Sequence, residues 1–227
     1  MSGRASAGQV KELALGVGHG VPADISAEDA ERNLADMSQI HLWLQLGLSV
    51  DLGQVDVAAV KAVIQPKILE QVTTVTVPAI PVFDAGARFR VTPEKERESV
   101  EVPIGWMSDN ARKLVQDQTE PEVGETALRI HKLLRASVDG PIIAELGGEE
   151  VATTTWGQMY EMMRHQGRGQ EGNLLTNGWA NIFYIPADGA VWAVGCLWNS
   201  GGGYWGVSAV PVARPGTWDA GRRVVSR

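Results

Sequence analysis

Apolar side chains recur along this chain in two periods, and the changes between them divide it into regions. From residue 26 the period is helical. Ser26 is placed as an N-cap with Asp29 at capping-box spacing. Leu34, Met37, Leu44 and Leu48 then follow at steps that keep to one helix face, with His41 filling the missing step. A second helical pattern runs through Val57, Val60, Ile64 and Ile68, where Pro66 should shorten or kink it. Residues 1–70 are therefore expected to be a helical N-terminal region built on a helical hairpin.

At Gln71 the pattern changes. Residues 72–77 are rich in β-branched side chains and predict a strand. Phe89 and Val91 alternate with Arg88 and Arg90, and Val100, Val102 and Ile104 alternate with polar neighbours. This predicts a β-hairpin joined by the charged stretch 93–98. A short helix is expected over residues 110–116, capped by Ser108 or Asp109. A longer one is expected over 122–135, where Thr119 and Glu122 have capping-box spacing and Leu128, His131 and Leu134 share a face. Residues 71–136 thus read as a mixed β-hairpin and helix region.

From residue 137 to 227 the pattern predicts one helix followed by a Trp-rich antiparallel β-meander. Thr155 and Gln158 mark the start of the helix, and Trp156, Met159, Tyr160 and Met163 fall on one face of it. Strands are expected at 181–185, 190–198 and 204–212, joined by glycine-containing connections of hairpin length, with a last strand at 223–226. In the middle strand Trp192, Val194, Cys196 and Trp198 share one face, yet Val191, Ala193 and Leu197 on the other face are also apolar. Such a sheet must be covered on both sides. The fold class expected is α+β. The three regions are 1–70, 71–136 and 137–227, and they are also compatible with one continuous domain.

Composition narrows the function. The chain has 227 residues and a net charge of −7. Residues 1–150 hold 14 Lys/Arg and 23 Asp/Glu, whereas residues 151–227 hold six and four. An acidic body disfavours nucleic-acid binding, leaving only a local role for the late arginines Arg214, Arg222, Arg223 and Arg227. One cysteine allows no internal disulfide and no multi-cysteine zinc site. The first residues lack the pattern of a secretory signal, and no run of about 18 apolar residues is present. The expected location is the cytoplasm.

Candidate chemistry is sparse. Gly167 to Gly172 spell G-x-G-x-x-G, but they follow a helix and precede a strand, the reverse of a dinucleotide loop. Gly16, Gly18 and Gly20 have no strand before them. Cys196 with His131 or His165, oriented by Asp139 or Asp188, is a conceivable nucleophile pair, but its mid-strand position favours a buried thiol. His19, His41, His131 and His165 are too scattered for a metal site, and the pairs Glu149–Glu150 and Glu161–Glu171 have no fixed geometry for glycoside chemistry. The tryptophans stand out. Trp179 and Trp218 lie beside turns, where an indole stacks on a ligand or partner or closes the end of a core. Asp219 and Arg222 give Trp218 a polar rim.

Residues 137–149 (SVDGPIIAELGGE), 175–185 (LTNGWANIFYI) and 218–227 (WDAGRRVVSR) resemble an uncharacterised family of small bacterial proteins. The resemblance covers about the C-terminal half. It implies that this half behaves as one module, and it carries no activity or catalytic residue with it. The leading expectation is a non-enzymatic protein-binding or assembly module. It would act through the Trp-rich C-terminal sheet by self-association or with a protein partner. The alternative is a small-ligand or carbohydrate-binding protein, or a hydrolase, with a site at Trp179, Trp218, Asp219 and Arg222. No catalytic residue, cofactor, metal ligand or membrane contact is assigned.

Overall fold

A computed structural model describes residues 67–213 and 216–227. Its strands are β1 (Leu69–Val77), β2 (Phe83–Asp84), β3 (Ile104–Met107), β4 (Thr119–Glu120), β5 (Thr126–Leu133), β6 (Asn181–Ala187), β7 (Ala190–Asn199), β8 (Tyr204–Pro211) and β9 (Arg223–Ser226). Its helices are α1 (Ala85–Arg88), α2 (Asp109–Val115), α3 (Asp139–Leu146), α4 (Glu149–Ala152) and α5 (Trp156–His165). β2 pairs with β4. The other seven strands form one sheet in the order β1-β5-β9-β6-β7-β8-β3. The β9–β6 and β8–β3 pairs are parallel and the remaining neighbours antiparallel, so the fold is α+β with a mixed sheet. Strands from residues 71–136 and from 137–227 share this sheet. The expected N-terminal helical hairpin falls almost wholly before residue 67, outside the described residues.

Both faces of the sheet are buried. On one face Val194, Cys196 and Trp198 of β7 join Phe183 and Ile185 of β6, covered by Trp156, Met159 and Met163 of α5 and Leu114 and Val115 of α2. On the other, Ala193 of β7 joins Ile182 and Tyr184 of β6, covered by Ile142, Ile143 and Leu146 of α3 and Ala152 of α4. Each large apolar side chain so buried contributes about 1.5–3 kcal/mol relative to exposure. A polar residue placed anywhere along the middle of β6 or β7 would forfeit that on one face or the other.

The helix α5 begins where local chemistry tells it to. Thr155 accepts the Gln158 N–H, and the Gln158 side chain accepts the Thr155 N–H, a reciprocal cap. A third group comes from far along the chain. Glu120 accepts the Trp156 N–H on one carboxylate oxygen and the Gly157 N–H on the other, both at 2.8 Å. Those N–H groups have no partner within the helix. A Cβ at Gly157 would lie 3.1 Å from Ile80 and 3.3 Å from Phe83, so glycine lets the helix start pack tightly on the segment leading into β2.

Four local expectations are corrected. The helix expected over 122–135 is instead strand β5, held on one side by β1 and on the other by β9. The i, i+3 spacing of Leu128 and His131 arises because these residues lie on opposite faces of that strand, and Leu134 is exposed at 41%. The hairpin expected over 88–104 does not form. Asp84 caps α1 by accepting the Ala87 N–H, residues 94–99 make a 3-10 turn, and β3 pairs parallel with β8. The one helix expected in residues 137–227 is joined by α3 and α4, which precede α5. Ile68, expected on a helix, lies just before β1; the Glu145 carboxylate accepts its N–H and that of Leu69.

Two predictions follow from this architecture. Glu120→Ala leaves two buried helix N–H groups without a partner and should lower unfolding free energy by about 2–4 kcal/mol in chemical denaturation, with Glu120→Gln costing less. The second concerns His131, which is buried on β5 with Nδ1 lacking a partner. Burial first, and Arg129 next, lower its pKa below the ordinary histidine value of 6.5. The unfolded chain therefore takes up this proton at higher pH than the folded one. The stabilisation from neutral His131 is present above about pH 6.5 and is lost as pH falls through the lowered value. Denaturation curves at pH 7.5 and pH 5 should show a smaller acid loss in His131→Leu than in the wild type.

Candidate functional site

The loop before β6 is pinned by Asn181. This fully buried side chain accepts the Leu175 N–H and donates to the carbonyls of Leu175 and Cys196. Within the loop Asn177 accepts the Trp179 N–H at 3.2 Å, and Gly178 takes a positive φ of 88°. This Asx-type turn lifts the Trp179 indole to the surface, where it is 42% exposed. The loop before β9 is pinned twice. Trp218 exchanges backbone hydrogen bonds with Ser137, and the Gly221 N–H donates to the Leu133 carbonyl.

The parallel pairing of β6 with β9 sets Asn181 beside Arg223, which brings the ends of these two loops together. All four residues singled out in the sequence meet there. The Arg222 guanidinium lies 5.4 Å from the centre of the Trp179 ring and 5.4 Å from that of Trp218. Its Nη2 donates to Asp219 at 2.7 Å. Each ring–guanidinium contact is worth about 0.5–2 kcal/mol depending on desolvation. The ion pair adds little, because the Asp219 side chain is 63% exposed. The Nε of Arg222 is buried without a partner.

Beneath this ladder lies a carboxylate whose partners the sequence does not reveal. Asp139, at the start of α3, is 2% exposed. Its Oδ1 accepts the Trp218 indole N–H at 2.7 Å and the Tyr184 hydroxyl at 2.9 Å. Burial raises the Asp139 pKa above the ordinary carboxylate value, and these two hydrogen bonds oppose the shift. Burial, then the neighbouring Asp139 charge, raises the Tyr184 pKa as well, so the phenol stays protonated and donates. Asp139 thus locks Trp218, and Arg222 lies over both Trp218 and Trp179.

The other candidates separate. Cys196 packs in the α5-side core, fully buried, with its thiol pushed up by desolvation, whereas Asp139 and Tyr184 belong to the α3 side. His165 pairs with Glu161 on the surface. In the G-x-G-x-x-G stretch, a Cβ at Gly169 would lie 2.0 Å from the Trp198 indole, and one at Gly167 would lie 2.0 Å from the Glu101 carbonyl. Those glycines admit the protein's own atoms. Among the described residues no three His, Cys, Asp or Glu side chains are grouped to hold a metal, and no helix is long and apolar enough to cross a membrane.

Two further features escaped the sequence reading. Trp106 on the edge strand β3 is 47% exposed, and a cleft beside α5 is lined by arginines. If Asp139 anchors the ladder, Asp139→Ala should cost about 2–4 kcal/mol in denaturant, since it leaves a half-buried indole N–H and a buried hydroxyl unpaired. Asp139→Asn keeps a carbonyl acceptor without a buried charge and should cost markedly less. No protein-family model, curated protein or solved structure matches the chain.

Proposed function

We propose that this chain is a binding protein that engages a protein partner through the Trp179–Arg222–Trp218 ladder, carried by the loops that lead into β6 and β9 of the Trp-rich C-terminal sheet. The observation that supports this reading most directly is the guanidinium placed between two indoles, with one indole open to solvent. Tryptophan and arginine are the residue types that dominate binding energy at protein interfaces. Here both are fixed before any partner arrives, so contact sacrifices little side-chain freedom. A second copy of the chain is the first partner to test.

The second reading is a small-ligand or carbohydrate site on the same residues. It draws on the Asp219 carboxylate, which is exposed next to the ladder and able to accept hydrogen bonds from hydroxyl groups. A sugar stacked on Trp179 and bonded to Asp219 is the ligand this geometry would take.

Sedimentation velocity over a concentration series separates these. Self-association by the ladder predicts a concentration-dependent increase in sedimentation coefficient for the wild type that is abolished in Trp179→Ala, with the melting temperature of the variant unchanged. An association that survives Trp179→Ala would overturn the assignment of the surface. A wild type that remains monomeric throughout would remove self-association. In that case quenching of tryptophan fluorescence by a glycan panel, lost in Trp179→Ala, is the result expected of the second reading.

A further inference from the structure

On the opposite side of the sheet from the tryptophan ladder, a cleft of about 740 Å³ lies between the segment 78–84 and helix α5. Apolar side chains form its floor. Ile80 and Phe83 are buried there, and the Phe83, Phe89 and Tyr160 rings meet at centroid distances of 5.6–6.4 Å. Phe89 in turn packs on Trp156, whose N–H the Glu120 carboxylate accepts. Val82, exposed at 67%, extends the apolar surface to the rim.

The charged groups lining the cleft are Arg88, Arg90 and Arg164, with Asp84, Glu101 and Glu161. They are unevenly satisfied. Glu161 binds Arg164 through two hydrogen bonds and also meets His165, while Glu101 lies 4.0 Å from Arg164. Asp84 accepts the Ala87 N–H. Arg88 lies over the Tyr160 ring at 5.8 Å, and Arg90 uses only Nε, donating to the Ala87 carbonyl. Among the described residues neither Arg88 nor Arg90 has a carboxylate within ion-pair distance. The cleft thus balances three arginines against three carboxylates, but Arg88 and Arg90 stand outside any ion pair, two open guanidinium forks in a concave, apolar-floored site. Such a site attracts anions.

We propose that this cleft binds a small organic anion, a carboxylate or phosphate carrying an apolar body, with Arg88 and Arg90 on the charged group and Ile80, Phe83 and Tyr160 beneath the apolar part. The guanidinium fork matches either headgroup. The volume suits one such molecule, since small-molecule sites commonly span about 300–1,000 Å³. This site is independent of the protein-binding reading, because no residue is shared with the ladder.

The test is calorimetric titration of the full chain with phenyl phosphate, phenylacetate, inorganic phosphate and phenol. The expected result is saturable one-site binding of phenyl phosphate or phenylacetate, with the stronger of the two naming the headgroup. Inorganic phosphate and phenol should each bind about tenfold or more weakly than that ligand, a loss of at least 1.4 kcal/mol. Arg88→Ala/Arg90→Ala should weaken binding by a similar factor, and Trp179→Ala should leave it unchanged. Both arginines are exposed, so the melting temperature serves as the folding control. Ligand-induced amide shifts at Gly157, Tyr160 and Glu161 of the wild type give a reading that needs no variant. Absence of saturable binding, shifts confined to other residues, or binding indifferent to both arginines would overturn the proposal. Equal affinity for inorganic phosphate would overturn the role of the apolar floor.

Discussion

The central strands β6 and β7 carry apolar side chains on both faces, and burying both faces at once is the constraint behind the rest of the structure. An antiparallel pair with one wet face needs a single covering layer. This pair needs two. α5 and α2 supply one, and α3 and α4 the other. Flanking strands are needed as well, because β6 and β7 have more backbone hydrogen-bonding groups than they can satisfy between themselves. β8 completes one side and β9 the other, both extending the two apolar layers.

The parts of this arrangement that were legible in the sequence are those set by neighbours in the chain. Thr155 and Gln158 specify the start of α5 within four residues. The two-sided apolar pattern of β7 is visible in one ten-residue segment, and it implies two covering layers before any partner is known. What was not legible depends on distant groups. In β5, Leu128 and His131 have the spacing of a helix face. The chain is extended there because β1 and β9 supply hydrogen bonds on both sides. β3 is short, and its parallel partner β8 lies about a hundred residues on. The carboxylate that completes the α5 cap comes from a position 36 residues before the N–H it accepts.

The same division applies to the sites. Trp179, Trp218, Asp219 and Arg222 could be picked out because loop tryptophans beside charge are uncommon, and the β6–β9 register then draws them together. In the sequence Asp139 is only a conceivable orienter for a Cys196 pair. Its role depends on Tyr184 and Trp218, 45 and 79 residues away. The arginine-lined cleft was hidden for another reason. Arg88 and Arg90 alternate with Phe89 and Val91, a pattern that reads as the wet face of a strand. The Asp84 cap instead starts a single helical turn that ends at Arg88, and the chain leaves it with Phe89 buried and the two arginines beside α5.

The position of β9 bears on how the chain reaches this state. β9 is the last of these strands in sequence, yet it lies third in the sheet, between β5 and β6. Until residues 223–226 are in place, β5 and β6 have no common neighbour, and the α3 layer spans an open seam. The β6–β7–β8 hairpins and the β1–β5 pair are complete in sequence before β9, but the sheet is continuous between them only once the closing strand is paired. Closure of the sheet therefore rests on a long-range pairing, and without it both flanks of the gap present unpaired backbone.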